Sequence, residues 1–519
     1  MIEKYLNNRI LILYLIPFLV GGISVFSFQP FNFSLINFII LPSIFFLIIL
    51  IKKKSKSVYR KKPYKKNLFI FGTSFGFGFY LFGIHWIINS LTFDDSFQIL
   101  IPFGLILLPL FLSLFFSITI FILGPFLNLK LYSIFLFSGG FALSDYLRAK
   151  ILTGFPWNLW AYSFSWNIEI IQIVNKIGFF AFNLIIITLF TLPAIIFLKI
   201  NFYKKLLSMI LTFLVLFVIY IYGNHSINQN KNFLESIPEK YYIKVISPNF
   251  DLEYGLSSKD IEKKLKKIIK YSEPSKNLKT LFVWPEGVFS GYSYSELLQF
   301  KDLFLKNFNE DHLILFGVNK QDEKLNSFYN SLVIVNNKFE IIQEYKKQKL
   351  VPFGEFLPFE FILNNFGLKK ITEGHGSFLK GKDQKNLIVN QLNILPLICY
   401  EIIFVEFIQK ANSNTNLIIN ISEDGWFGNS IGPYQHFSKG IFRAVEQNTF
   451  FIRSANQGIS AIVDNKGSVV KKLNPNEAGN IELEVPLIKN DKKNKNDLIF
   501  FTLLITYIFI FKFNSKNNE

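Results

Sequence analysis

The residues best suited to chemistry stand at the ends of apolar segments. Cys399 is the only cysteine of the chain and follows the apolar run 393–398. A thiol at the end of a buried strand lies at the edge of an α/β sheet, where ligands bind. Most free cysteines are instead small buried hydrophobic residues, and this alternative stays open for Cys399 taken alone. A single cysteine also excludes a disulfide within the chain.

Two further segments supply acidic and basic side chains. Glu286 ends the hydrophobic stretch 281–285 and stands in a Pro/Gly turn, and the basic stretch 345–349 enters a second Pro/Gly turn that ends in Glu355. Taken alone, each is ordinarily a solvated strand end or a charged loop. A thiol is nucleophilic only as a thiolate, which needs a nearby base or cation. A glutamate can take the proton, and a lysine can stabilise both the thiolate and an oxyanion.

These segments lie in a region where predicted strands and helices alternate. Short β-branched and aromatic runs predict the strands, and an Asn-Asn pair at 336–337 predicts a hairpin turn. A block of about 250 residues with this rhythm is an α/β or α+β domain with its own core. The predicted strands are 242–246, 281–284, 313–318, 331–335, 394–398 and 417–421, and the predicted helices include 258–271 and 295–308.

The chain as a whole is too apolar for a wholly soluble protein. Half of the 519 residues are hydrophobic, 18% are aromatic, and the mean hydropathy is +0.32. Runs of about 17 to 25 apolar residues are long enough to cross about 30 Å of hydrocarbon. The fourth and sixth runs are long enough to predict tilted or kinked single helices. We place eight runs at 10–28, 33–51, 68–91, 97–126, 131–147, 168–198, 206–222 and 498–511.

Positive charge in the short loops predicts the orientation, because Lys and Arg stay on the cytoplasmic side. Nine Lys and Arg residues lie within 52–66, and three lysines lie within 199–205. Both loops therefore face the cytoplasm. The prediction is a bundle of about seven spans over 1–223, an extracytoplasmic domain over 224–496 with its core at about 241–488, and a C-terminal span with a cytoplasmic tail over 497–519.

The formal charge of +18 does not by itself indicate a nucleic-acid partner. It comes from 50 Lys and only 5 Arg, without the Arg-rich, aromatic-interleaved patches that bind phosphate and base. The histidines are dispersed and one cysteine cannot build a zinc site, so we predict no metal and no other cofactor. A pairing of Cys399 with His436, as in papain-like enzymes, is formally possible but leaves the Glu and Lys segments unexplained.

Together, these segments resemble the nitrilase superfamily, whose Glu-Lys-Cys triad occurs in this chain order. More narrowly, the sequence resembles the apolipoprotein N-acyltransferase family, in which such a domain accompanies a bundle of membrane helices. The resemblance implies an αββα sandwich, and it extends into the membrane half. The motifs that carry it lie at 284–286, 350–356, 398–401, 424–436, 443–448 and 453–458, with 147–148 and 153–157 in the membrane half.

The resemblance also implies roles for individual residues. The family's catalytic lysine stands three residues before the Leu-Val-Pro-Phe-Gly-Glu block, and this register selects Lys347 rather than Lys346 or Lys349. One departure is the segment 247–250, which stands where the family often has a Gln-Gly-Asn type sequence. The implied roles are Glu286 as general base, Lys347 as catalytic lysine, Cys399 as nucleophile, Glu355 and Glu401 as supporting acids, and Tyr400 and Trp426 as candidates for lining the acyl pocket.

The function implied by the resemblance is acyl transfer through a thioester, by a ping-pong mechanism. The donor would be a phospholipid such as phosphatidylethanolamine, and the acceptor the α-amino group of diacylglyceryl-cysteine in an apolipoprotein. The enzyme would be a monomer in the cell inner membrane, with its catalytic domain on the periplasmic side. One alternative is a membrane-anchored amidase that uses water. Another is a transporter or scaffold, which the spans disfavour because they contain almost no charge, with Glu169 and Lys176 near one end of a run.

Overall fold

A computed structural model describes residues 8–54, 63–198, 200–253, 255–363, 370, 377–382, 386–412, 414–489 and 496–516. The chain divides into two compact units, one formed by Met1–Ser226 with Lys495–Glu519 and the other by Ile227–Asn494. The orientation is predicted from the basic loop at 52–66 and from the lysines within 199–205. Residues 55–62 of that loop and Lys199 lie outside the described residues. The predicted domain boundaries and their placement in the membrane stay predictions.

The first unit is a bundle of apolar helices. Within the described residues, six helical segments are long and apolar enough to cross a membrane, and a shorter apolar one covers Leu11–Ser27. The unit is therefore a polytopic membrane bundle, with a number of spans roughly consistent with the predicted eight. Its helices are α1 Ile16–Ser24, α2 Asn37–Lys54, α3 Pro63–Ile84, α4 Ile101–Leu123, α5 Tyr132–Lys150, α6 Ile168–Ile171, α7 Val174–Ile177, α8 Phe179–Thr191, α9 Phe202–Asn228 and the C-terminal helix Asn496–Lys516.

The prediction that 168–198 forms a single helix is wrong. The short helices α6 and α7 cover its first part, and Gly178 then adopts φ +81° directly before α8. A positive φ interrupts a right-handed helix and is easiest for glycine, which has no Cβ. The apolar segment long enough to span therefore begins only at Phe179.

The expectation of nearly charge-free runs is also wrong, because α5 buries an ion pair. Arg148 Nη2 lies 3.0 Å from Asp145 Oδ1, and both side chains are buried. Asn183 Nδ2 donates to Asp145 Oδ2 at 2.9 Å, and Arg148 Nη1 donates to the carbonyl oxygens of Phe155 (2.7 Å) and Trp157 (2.8 Å). The pair therefore links α5 to α8 and to the loop that follows α5. A buried charge persists when it is paired and hydrogen-bonded in this way.

The second unit is built on two six-stranded sheets. The first has the order β12-β1-β2-β3-β4-β5 and the second β11-β10-β9-β8-β7-β6. Strands β1, β2 and β3 run parallel, as do β7, β8 and β9, and the outer pairs are antiparallel. The strands are β1 Lys240–Ser247, β2 Thr280–Val283, β3 His312–Asp322, β4 Ser327–Val335, β5 Ile341–Lys346, β6 Leu387–Val389, β7 Leu392–Ile398, β8 Leu417–Glu423, β9 Phe450–Asn456, β10 Ser460–Val463, β11 Val469–Leu473 and β12 Gly479–Pro486.

The sheets pack face to face with helices outside them. Successive side chains of a strand point to opposite faces, so Leu281 enters the core between the sheets while Phe282 enters a second core under the helices. On the other sheet, Gly440 of the helix Gly432–Gln447 lies so close to the Phe451 ring that a Cβ would clash with it. The helices are α10 Asn230–Glu235, α11 Ser258–Ser272, α12 Tyr294–Leu297, α13 Lys301–Asn307, α14 Glu360–Leu363, α15 Val405–Lys410 and α16 Gly432–Gln447.

This arrangement is a nitrilase-like αββα sandwich. The six predicted strands and the helix predicted at 258–271 are confirmed, with boundaries that differ by a few residues. The predicted turn at 336–337 lies between the antiparallel strands β4 and β5. The helix predicted at 295–308 is instead formed by α12, a short 3₁₀ segment Leu298–Phe300, and α13.

Candidate active site

Three of the predicted residues follow the ends of strands in the two sheets. Glu286 comes three residues after β2, Lys347 directly follows β5, and Cys399 directly follows β7. Strands β2 and β7 lie inside their sheets. The ends of strands are where an α/β sheet offers side chains to a ligand. Glu286, Lys347 and Cys399 form the predicted triad.

The ammonium group of Lys347 lies between two carboxylates. Its Nζ is 2.7 Å from Glu355 Oε1 and 3.3 Å from Glu286 Oε1. All three residues are buried, with Lys347 only 1% exposed. The structure therefore brings together two predicted triad members and one predicted supporting acid in one charged cluster.

Asn330 joins the same two carboxylates and is absent from the predicted site. Its Nδ2 donates to Glu286 Oε1 (2.7 Å) and to Glu355 Oε1 (2.8 Å), and its carbonyl oxygen accepts from the backbone N–H of Lys347 (2.9 Å). One residue therefore orients three others. The available sequence signal is an amide inside β4, just before the run Ser331–Val335, because a buried amide needs partners.

The backbone around Glu286 is also fixed. The N–H of Glu423, at the end of β8, donates to Glu286 Oε2 at 3.2 Å. Gly287 adopts φ +75°, and a Cβ at this position would lie 2.8 Å from Glu423 Oε2. The turn after β2 therefore requires glycine both for its backbone angle and for its contact with the second sheet.

The charges in this cluster favour a protonated lysine. Burial alone lowers the pKa of Lys347, but the carboxylates of Glu286 and Glu355 outweigh burial and hold the pKa above its ordinary value. An opposite charge within hydrogen-bond distance favours the ionised form in this way. Lys347 is therefore a fixed positive charge in the site.

The surroundings of Cys399 favour a neutral thiol. Burial raises its pKa, the nearby charge of Glu286 raises it further, and Lys347 opposes both. Cys399 is half-buried and adopts φ +49°, an uncommon backbone angle for a residue with a side chain. A protonated thiol needs a base to take its proton before the sulfur can act as a nucleophile.

Glu401 ties the Cys399 segment to the Lys347 segment. Its carboxylate accepts from the backbone N–H of Gln348 (2.7 Å), Lys349 (3.0 Å) and Ile398 (2.9 Å), and from the hydroxyl of Tyr345 (2.9 Å). Burial raises the pKa of Glu401 to about 7, and the backbone hydrogen bonds oppose this shift. Because these donors come from both sheets, Glu401 sets the spacing between the strand ends that carry Lys347 and Cys399.

A buried polar network holds the backbone of Cys399. The carbonyl oxygen of Cys399 lies 3.3 Å from His436 Nε2 and accepts from Asn420 Nδ2 at 3.4 Å. His436 Nδ1 lies 3.0 Å from Arg453 Nη2, which also pairs with Asp424. Burial, followed by the charge of Arg453, lowers the pKa of His436 to about 4.

The contacts of His436 indicate its role. Its Nδ1 faces both an acceptor, Asp424 Oδ1 at 3.1 Å, and a donor, Arg453 Nη2 at 3.0 Å. Its Nε2 faces the carbonyl oxygen of Cys399, so the ring contacts the main chain of that residue. This contact supports a positioning role and disfavours the papain-like pairing, in which the ring would act on the sulfur.

The two predicted pocket residues occupy different positions. The ring of Tyr400 packs edge to face on Phe404 with centroids 4.9 Å apart, and burial raises the pKa of Tyr400 while Lys347 opposes the shift. Trp426 is half-buried in the helical turn Asp424–Phe427 after β8. Their role in an acyl pocket stays a prediction. Within the described residues, no three His, Cys, Asp or Glu side chains are grouped to hold a metal ion.

The fold and these strand-end residues define a protein of the nitrilase type, and comparison with known families agrees. A sequence model described as carbon-nitrogen hydrolase matches residues 253–489. A second model, described as the N-terminal domain of apolipoprotein N-acyltransferase, matches residues 20–192. Among solved structures, an amidase from Nesterenkonia sp. is similar at 14% identity over 50% of this chain and 94% of its own, with a TM-score of 0.35.

Curated relatives cover nearly the whole chain. A protein of Rickettsia typhi named apolipoprotein N-acyltransferase is 33% identical over 507 residues, which are 96% of each chain. A Rhodopseudomonas palustris protein of the same name is 29% identical over 496 residues, 91% of this chain and 89% of its own. The chain belongs to the apolipoprotein N-acyltransferase family. It is therefore a membrane protein of a family of acyltransferases, as the sequence motifs predict.

Proposed function

We propose that this protein transfers a fatty acyl chain from a membrane phospholipid, through a thioester on Cys399, to the α-amino group of diacylglyceryl-cysteine in an apolipoprotein. Membership of the family supports lipoprotein N-acylation. The observation that carries the chemistry is Lys347 held between Glu286 and Glu355 beside the end of β7. We assign Glu286 as general base, Lys347 as the oxyanion-stabilising cation and Cys399 as nucleophile.

The first half-reaction forms the thioester. Glu286 takes the proton of the neutral Cys399 thiol while the sulfur attacks the ester carbonyl carbon. Lys347 stabilises the negative charge that develops on the carbonyl oxygen. The C–S bond is then complete, the ester C–O bond breaks, and Glu286 returns the proton to the departing oxygen of the lysophospholipid.

The second half-reaction transfers the acyl group to nitrogen. The neutral α-amino group attacks the thioester carbon, and Lys347 again stabilises the oxyanion. The C–N bond forms, the C–S bond breaks, and a proton of the amine passes through Glu286 to the Cys399 sulfur. The amide leaves and the thiol is restored, so the cycle consumes no other reactant.

Glu355 and Asn330 have supporting roles in this proposal. The 2.7 Å contact from Lys347 to Glu355 keeps the ammonium group charged when Glu286 is protonated. Asn330 donates to both carboxylates and therefore fixes their separation. Preorganised groups of this kind stabilise developing charge without reorganising during the reaction.

We also propose that the second unit lies on the periplasmic side of the inner membrane and that the protein acts as a monomer. The basic loop at 52–66 supports this orientation. A reporter fused within that loop should be found in the cytoplasm, and one fused near Lys471 on β11 should be outside. Exchange of the two locations would overturn the orientation without affecting the chemical proposal.

The function is tested with a phospholipid labelled in its acyl chain and a synthetic diacylated lipopeptide. The purified wild type should form labelled amide, whereas Cys399→Ser and Glu286→Gln should not. Glu262→Gln is the control, because this exposed acid of α11 pairs only with its helix neighbour Lys266 at 2.7 Å among the ion pairs of the described residues. Release of free fatty acid without amide would instead support the hydrolase alternative. A labelled thioester in Cys399→Ala would contradict the assignment of the nucleophile.

A further inference from the structure

A lysine-lined pocket lies beside the Lys347 segment of the second unit and has no role in the reaction described above. It has a volume of about 480 Å³. Its wall includes four lysines and one acid, namely Lys349, Lys380, Lys382, Lys410 and Glu406. The five side chains together carry a formal charge of +3. Opposite charges are drawn into a cleft that is lined by one sign of charge.

This concentration of lysine exceeds the lysine-rich background of the chain. Lysine accounts for 50 of 519 residues overall, but for four of the eight residues that line the pocket. Two of these lysines are held in place by neighbours. Lys349 Nζ lies 3.3 Å from Glu406 Oε1, and Lys410 Nζ donates to Gln348 Oε1 at 3.2 Å. Lys380 and Lys382 are exposed and flank Gly381.

The pocket wall is hydrogen-bonded to the proposed catalytic machinery. The N–H of Gly381 donates to the carbonyl oxygen of Lys347 at 2.8 Å. A Cβ on Gly381 would lie 2.2 Å from the carbonyl oxygen of Lys346, so the wall approaches this segment as closely as glycine allows. Gln348 and Lys349, which also line the pocket, donate through their backbone N–H groups to Glu401.

These observations limit the ligand to an anion that several ammonium groups can share. A phosphate group fits, because its oxygens accept several charge-assisted hydrogen bonds at once, and lysine binds phosphate as a point charge. The proposed acyl donor carries a phosphodiester near the ester carbonyl carbon. The proposed acceptor, a diacylglyceryl-cysteine, has no phosphate.

We propose that this pocket binds the phosphate of the phospholipid donor. The proposal rests on the proposed function and adds a donor-specific site to it. It requires that the four lysines contribute to the first half-reaction and not to the second. The rate of acylation by a fatty acyl donor without phosphate should not depend on these lysines.

The test compares two pairs of charge reversals. Lys380→Glu/Lys382→Glu reverses the exposed side of the pocket. Lys263→Glu/Lys266→Glu is the matched control, since these lysines of α11 have side chains 78% and 61% exposed and lie outside the pocket. The pocket variant should raise the KM for phospholipid at least tenfold, and the control should change it less than twofold. Single-turnover transfer from pre-acylated enzyme to lipopeptide should be equal in both.

A phosphate-free donor separates binding of phosphate from general damage. The p-nitrophenyl ester of the same fatty acid should acylate the wild type and the pocket variant at equal rates. Equal loss with both donors, or an unchanged KM for phospholipid, would overturn the proposal. Lys380→Arg/Lys382→Arg should retain most of the wild-type KM. If the reversal prevents folding, as judged by thermal unfolding, Lys380→Gln/Lys382→Gln serves in its place with an expected increase of at least threefold.

Phosphorus NMR distinguishes a lipid phosphate from free phosphate as the ligand of the pocket. It also tests binding at the pocket independently of the proposed function. An ether-linked phospholipid, which cannot acylate the enzyme, should show saturable binding to the wild type and weaker binding to the pocket variant. Inorganic phosphate should compete with it. Binding of inorganic phosphate but not of the ether lipid would overturn the donor site. A wild type that binds the ether lipid but forms no thioester would contradict the proposed function and leave the phosphate site standing.

Discussion

Each unit buries a positively charged side chain, but the two side chains have different numbers of carboxylate partners. In the membrane unit, Arg148 donates to the single carboxylate of Asp145 and to two backbone carbonyl oxygens. In the globular unit, Lys347 contacts two carboxylates, those of Glu286 and Glu355. The first site is balanced in charge, whereas the second has one negative charge in excess.

This difference separates a structural ion pair from a site that can move a proton. In the Arg148 site one cation meets one anion, and Asn183 supplies an additional donor to Asp145. In the Lys347 site the excess carboxylate can accept a proton from the neutral Cys399 thiol without leaving the lysine unpaired. A buried cluster with unequal numbers of acids and bases is therefore a better candidate for chemistry than a balanced pair.

Removing the cation from the unbalanced site should have the largest effect. Lys347→Met should lower kcat for acyl transfer by at least about 10³-fold, or roughly 4 kcal/mol, because the oxyanion loses its stabilising charge. Lys346→Met is the control, since Lys346 stacks on the Tyr329 ring at 3.9 Å and lies outside the carboxylate cluster. Rates from labelled phospholipid to lipopeptide check this expectation. Equal losses in both variants would refute the choice of Lys347.

Removing the cation from the balanced site should affect stability. Arg148→Met should lower the free energy of unfolding by about 3 to 5 kcal/mol, because it leaves Asp145 buried without its partner. Denaturant unfolding in detergent measures the change, and the exposed Lys204→Met in α9 should be nearly neutral. Adding Asp145→Asn to Arg148→Met should recover part of the loss. A stable single variant with impaired kcat would mean that the site has a direct role in the reaction.

The polar network that holds the Cys399 backbone should make the protein less stable at acid pH. His436 titrates near pH 6.5 in the unfolded chain but near pH 4 in the folded one. As the pH falls from 6.5 to 4, the unfolded state takes up the proton first, so the free energy of unfolding should fall by up to about 3 kcal/mol. Thermal unfolding of the wild type and of His436→Gln across this range tests the expectation. An identical pH profile in both proteins would show that His436 does not cause the loss.

A smaller effect is expected at Asn330. Asn330→Ala should lower kcat by about 10- to 100-fold, because a hydrogen bond to a charged group contributes about 1.5 to 3 kcal/mol. Asn307→Ala, at an exposed amide in α13, is the matched control. Thiol alkylation at Cys399 should remain possible in both variants. A change in KM alone would place Asn330 in substrate binding and not in the orientation of Glu286 and Glu355.

The sequence predicts the strand ends well because their signals are local. An apolar run that stops at a turn marks β2 and β7, and the residue at the stop is visible without knowledge of the fold. Glu286 and Cys399 are predicted in this way, and the family motif then selects Lys347. Even so, the strand pattern alone does not show that Glu355, and not a backbone group, pairs with the lysine.

The remaining contacts depend on residues far apart in the chain. Asn330 lies 44 positions from Glu286, and Asp145 lies 38 from Asn183. An amide in a strand and an aspartate in a helix are common, and nothing beside them in sequence indicates Glu286 or Asn183 as a partner. Arg148 looks like a loop charge because it follows the apolar run 131–147. Only the packing of β4 on β5, and of α5 on α8, reveals these networks.

The single cysteine allows the state of the proposed nucleophile to be measured directly. Because Cys399 is the only thiol in the sequence, a thiol-directed label can attach at one position, and mass spectrometry of the intact chain counts occupied sites directly. Under the proposed mechanism, acylation and labelling compete for the same sulfur atom. Each molecule can be scored as loaded or empty without mutating any residue.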